Sequence, residues 1–105
     1  MDGFNYFRGD TILLNIDAGE YSFQKDDVLK VALMKTVYDR EYIYENIITI
    51  PQEQTTVQVE IPPEKTGKLS SGDYILEFEL TTNLGVVSTT QLDVSIKEDG
   101  IYERN

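Results

Sequence analysis

The chain has 105 residues, 19 Asp plus Glu against 9 Lys plus Arg, a net charge of -10, and neither cysteine nor histidine. That length suits one domain, and the missing residues exclude disulfide stapling, thiol catalysis and the usual zinc ligands and general base. The acidic balance argues against nucleic acid and anionic membranes, both of which need clustered Lys and Arg. No apolar run is long enough for a membrane-spanning helix, and Met1-Asp2-Gly3 lacks the basic-then-apolar layout of a signal peptide, so synthesis in the cytosol is expected.

In chain order, Phe4 to Phe7 is a candidate edge strand, followed by Arg8-Gly9-Asp10. As letters this is the tripeptide of cell-adhesion ligands. Its place directly before an apolar alternation reads instead as a glycine turn at a strand entrance, with Asp10 bonding the backbone just after it. Ile12, Leu14 and Ile16 then alternate with Thr11, Leu13 and Asn15, and Ala18-Gly19-Glu20 turns the chain. Leu29, Val31 and Leu33 alternate with Lys30, Ala32 and Met34. Asp39-Arg40-Glu41 is a short hairpin loop, and "YIYENIITI", Tyr42 to Ile50, is a β-branched and aromatic strand whose inner face is ambiguous. Val57, Val59 and Ile61 form the next strand, ended by Pro62-Pro63, with a helical turn at Pro63-Glu64-Lys65-Thr66. Ser70-Ser71-Gly72-Asp73 turns into Tyr74, Leu76, Phe78 and Leu80. Asn83-Leu84-Gly85 closes a hairpin, with Asn and Gly able to take positive φ, onto a last strand running from Val86 to Ile96. Period-2 alternation throughout predicts six or seven strands and an antiparallel β-sandwich, with the domain over 1–97 and a tail or linker over 98–105.

Four constellations bear on function. Leu69, Gly72 and Tyr74 have the spacing of a tyrosine corner, in which the Tyr hydroxyl bonds backbone upstream and pins the loop crossing between sheets. Leu76 stands where antibody domains carry a cysteine. Asp26 and Asp27, with Asp17, Glu20 and Glu41, suggest calcium at first sight, but no D-x-D-x-D-G run exists, and two acids before a strand make an ordinary turn, so no metal is expected. Glu77 and Glu79 share a strand face, as a glycosidase pair could, but the opposite face is apolar, so this one should look at water. Tyr38, Tyr42 and Tyr44 surround one hairpin, either as cross-strand aromatic pairs or as a partner-binding patch. No catalytic residue emerges, and a non-enzymatic chain is expected.

"RGDT", "KDDVLKVAL", "VQVEIPPEKTGKLSSGDYILEFEL" and "GVVSTTQLDVSI" together make Phe7 to Ile96 resemble the immunoglobulin-like N-terminal domain of phage baseplate upper proteins of siphophages. The resemblance implies an immunoglobulin-like sandwich of about seven strands, without cofactor, serving as a structural and interaction module of a phage or prophage tail. Its expected partners are other tail and baseplate proteins or further copies of itself, and its expected location is the virion, after synthesis in the host cytoplasm. Family members continue into a long linker and further domains, where this chain has "KEDGIYERN". The alternative is a carbohydrate- or cell-surface-binding sandwich of a bacterial protein, against which the missing tryptophan counts.

Overall fold

The computed structural model describes residues 4–36 and 42–97. Strands β1 (Phe4–Phe7), β2 (Ile12–Asp17), β3 (Val28–Met34), β4 (Tyr44–Thr49) and β5 (Thr56–Ile61) lead to a single helical turn, α1 (Pro63–Thr66), and then to β6 (Gly72–Thr81) and β7 (Val87–Lys97). Two sheets result, a five-stranded one in the order β1-β7-β6-β3-β4 and a two-stranded one, β2-β5. Successive strands β2 and β3 lie in different sheets, as do β5 and β6. The chain therefore crosses between layers, and the fold is an immunoglobulin-like all-β sandwich. All pairings are antiparallel except β1 with β7, which is parallel, so the larger sheet is mixed.

Both sheets feed one core. Ile12 and Leu14 of β2 and Val57, Val59 and Ile61 of β5 meet Leu29, Val31 and Leu33 of β3, and Tyr74, Leu76, Phe78 and Leu80 of β6. On β4 the inner positions are Tyr44, Asn46 and Ile48, opposite Leu33, Val31 and Leu29, which settles the face that the pattern left open. Strict alternation fails on β3, where Ala32 and Met34 are buried on the outer face as well. β3 is an interior strand of the large sheet, between β6 and β4, and Ala32 is a small side chain flanked in register by Glu45 and Glu77.

The Arg8-Gly9-Asp10 step is a local turn between β1 and β2. Gly9 takes φ 91 and lets Asp10 N–H reach the Phe7 carbonyl at 3.0 Å, while the Asp10 carboxylate accepts from Phe7 N–H at 3.0 Å. The aspartate thus bonds backbone before it rather than after it, closing the β1–β2 turn on itself. The hydroxyl of buried Thr66 donates to the Asp10 carbonyl, so the single turn of α1, started by Pro63 at its first position, holds this turn down.

At the other crossing, the Tyr74 hydroxyl donates to the Ser70 carbonyl at 2.7 Å, the geometry of a tyrosine corner, and Leu69 is buried beside it. Gly72 has φ 147, and a Cβ there would stand 2.8 Å from the Lys35 ammonium, which lies 4.4 Å from the Tyr74 ring centroid. Tyr74→Phe keeps the ring and loses only the hydroxyl bond. It should cost about 1 kcal/mol in urea unfolding, whereas Gly72→Ala should cost at least as much through strained backbone and displacement of Lys35.

Candidate interaction surface

At one end of the sandwich three segments are tied together by one carboxylate. Asp27 opens β3 and is fully buried. Its Oδ2 accepts from the Tyr21 hydroxyl at 2.7 Å and from Gln24 N–H at 2.8 Å, and its Oδ1 accepts from Asn83 N–H at 2.8 Å. The backbone continues the network: Ile50 N–H donates to the Asp27 carbonyl at 2.8 Å and Asp26 N–H to the Ile50 carbonyl at 2.9 Å. Asp26 adopts φ 72 to make that second bond, a conformation Asp tolerates better than most side chains. Burial by itself raises the Asp27 carboxyl pKa, but the donors from Gln24, Tyr21 and Asn83 outweigh it and hold the group below its ordinary 3.8. The bond to Asp27 in turn raises the Tyr21 phenol, with burial adding to it.

Asn83 carries this anchoring to the β6–β7 hairpin, and its side-chain amide also donates to the Lys25 carbonyl at 3.0 Å. The loop Asn83-Leu84-Gly85 is closed by Gly85 N–H to the Thr82 carbonyl at 2.8 Å and Thr82 N–H to the Val86 carbonyl at 2.8 Å, with Gly85 at φ 86. This is the three-residue hairpin loop that ends in a left-handed glycine. Only the glycine takes positive φ. Asn83 serves instead through its hydrogen bonds. The result is a fixed hairpin whose tip is apolar, with Leu84 88%, Val86 62% and Val87 56% exposed. Three large apolar side chains exposed within four residues make this tip a candidate docking surface.

Beside the hairpin lies a cleft of about 320 Å³, walled by Leu14 and Ile16 of β2, Phe78 and Leu80 of β6, and Thr90 and Leu92 of β7. It shares Ala18, Leu80 and Ser88 with a recess of about 380 Å³ running up to Leu84 and Val86. The cleft exists because a two-stranded sheet faces a five-stranded one. Val94 and Ile96 of β7 are covered, whereas Ser88 and Thr90, which share their inner-facing register, remain exposed.

The residues singled out by sequence fall into different places. Tyr38, the loop at 39–41 and the tail at 98–105 lie outside the described residues. Tyr42 is exposed, with the Lys30 ammonium 5.2 Å from its ring centroid on the outer face of the large sheet. Tyr44 is half-buried and its hydroxyl donates to the Glu60 carbonyl at 3.2 Å, bridging β4 to β5. The two tyrosines thus face different surroundings. Asp17 caps its own turn by accepting from Gly19 N–H at 3.0 Å, and Asp27 is saturated by protein donors, so neither carboxylate points into a shared oxygen cage. Glu77 accepts from the Gln91 side chain at 2.8 Å on the outer face, and Glu79 stands opposite Lys30 there. Leu84, Val86, Val87 and the cleft were not anticipated. A leucine inside an Asn-x-Gly turn, where polar residues are the rule, was the one local signal for the tip.

No family model, no curated protein and no solved structure matches this chain.

Replacing Asp27 by Ala leaves three part-buried donors without their acceptor and should cost about 3 kcal/mol. The folded carboxyl binds its proton less tightly than the unfolded one, so its contribution is present above 3.8 and is lost as pH falls through the lower folded value. Urea midpoints measured from pH 6 down to pH 2 should therefore fall more steeply for the wild type than for Asp27→Asn.

Proposed function

We propose that this chain is a non-enzymatic interaction module that docks other proteins through the β6–β7 hairpin tip. On the sequence resemblance, we place its setting in a phage or prophage tail baseplate. The observation that carries the docking reading is the apolar tip. Leu84, Val86 and Val87 stand out into solvent on a loop that Asn83 and Asp27 hold in one conformation. Removing such side chains from water is worth roughly 25 cal/mol per Å² of apolar surface, and a pre-fixed loop loses little entropy on binding. The net charge of -10 adds a preference for a partner with a basic surface and speeds the encounter at low salt. The baseplate setting rests on the turn-and-strand motifs from "RGDT" to "GVVSTTQLDVSI".

The test begins with the reading frames flanking the gene. Products of neighbouring tail genes are purified and their binding to this chain is measured by calorimetry. Leu84→Ser/Val86→Ser/Val87→Ser changes only exposed positions and should lower affinity about a hundredfold, the scale of a hot-spot cluster. Tyr42→Ser, at the opposite end of the large sheet, should change it less than about twofold. Binding that ignores the tip substitutions overturns the docking surface. Neighbours encoding sugar transport or cell-wall anchoring overturn the tail setting.

A further inference from the structure

β2 has a hydrogen-bonded neighbour on one side only, β5. β5 is likewise single-sided, but there the Tyr44 hydroxyl reaches the Glu60 carbonyl from β4 and bridges the gap between the sheets. Among the described residues, β2 pairs with no strand of the larger sheet. Its sequence, Ile-Leu-Leu-Asn-Ile-Asp, carries neither the lysine nor the proline that usually guards a sheet edge. The cleft opens directly alongside this edge, with Leu14 and Ile16 on its wall, and on the outer face Leu13 is 50% exposed, with Glu60 of β5 on one side and no described strand on the other. An edge, an inward apolar slot and an uncovered outward leucine are the three contacts that one added strand would make at once.

Charge indicates what kind of strand. β2 and β5 together carry two carboxylates, Asp17 and Glu60, and no Lys or Arg. Asp17 lies at the cleft wall and is exposed. A second copy would bring another net charge of -10 to the same place, which like-charge repulsion disfavours.

We propose that the cleft beside β2 receives an extended segment of a partner protein, which pairs with the β2 edge, places alternate apolar side chains between Ile16 and Leu92, and sets a Lys or Arg against Asp17. This rests on the docking reading and supplies its mode: the hairpin tip makes the rim contact and the cleft takes the strand.

The probes are the capped peptides Lys-Val-Thr-Val-Thr-Val-Lys and Glu-Val-Thr-Val-Thr-Val-Glu, titrated into the labelled full chain and followed by NMR. Saturable shifts are expected at the Leu14 and Ile16 amides and the Leu92 methyls. The lysine peptide should bind about tenfold more tightly than its glutamate twin at low salt, with the difference shrinking as salt is raised. Thr90→Trp fills the slot and should abolish the shifts. Asp17→Asn keeps an acceptor for Gly19 N–H and should lower the preference for lysine about threefold while leaving the fold intact. Equal binding of the two peptides, or no saturable shift at the cleft, overturns the inference. So does a concentration-dependent dimer that protects the β2 amides, since the occupant is then a second copy. If the tip substitutions still abolish partner binding while the peptides fail, only the strand mode falls and the docking reading stands.

Discussion

The buried Asp27 carboxylate is the constraint from which the functional end of this molecule follows. A charge at full burial is tolerated only when its oxygens are satisfied, because desolvation otherwise costs several kcal/mol. Here the donors come from Tyr21, Gln24 and Asn83, two of them before β3 and one 56 positions beyond Asp27. A single side chain therefore ties the β2–β3 connection to the β6–β7 hairpin, while the backbone of Asp26 and Asp27 fixes the end of β4. An apolar residue in place of Asp27 would remove these three directional bonds, leaving the hairpin held by its own turn, by the β3–β6 pairing and by the Asn83 amide on the Lys25 carbonyl.

The second determinant is the mismatch between the sheets. Five strands present more inner surface than two can cover. The chain responds with composition: along β7 the inner positions pass from Ile96 and Val94 through half-buried Leu92 to exposed Thr90 and Ser88. The threonine and serine make an uncovered strand half tolerable to water, while Leu14, Phe78 and Leu80 keep the floor of the cleft apolar. The opening is thus written into side-chain choice on both walls and is not a packing fault at one residue.

Much of the framework was legible in the sequence because it is local. β2, β5 and β6 carry uninterrupted period-2 alternation, Pro62-Pro63 announces the end of β5 and the start of α1, and Leu69, Gly72 and Tyr74 carry the corner spacing. What was not legible is non-local. Asp26-Asp27 reads as a solvated turn until Asn83 is brought beside it by folding. Ser88 and Thr90 read as an ordinary buried face until the smaller sheet proves to stop short of them. For the tyrosines around the 39–41 loop, the sequence shows aromatics near a hairpin but not that the Tyr44 hydroxyl joins the two layers. The parallel pairing of β1 with β7 has no sequence signature, since it depends on how the Arg8-Gly9-Asp10 turn is clamped by Thr66.

That parallel pair also determines how the domain bears load. β1 enters at Phe4 beside Val94 and leaves at Phe7 beside Lys97, so the two terminal strands point the same way. Tension drawn between the two ends of the chain pulls β1 and β7 in opposite directions along their common axis. Their hydrogen bonds are then sheared together instead of being opened one after another, as they would be in an antiparallel terminal hairpin. A short four-residue strand thereby acts as a mechanical latch, placed where a domain held between two neighbours would feel the pull first.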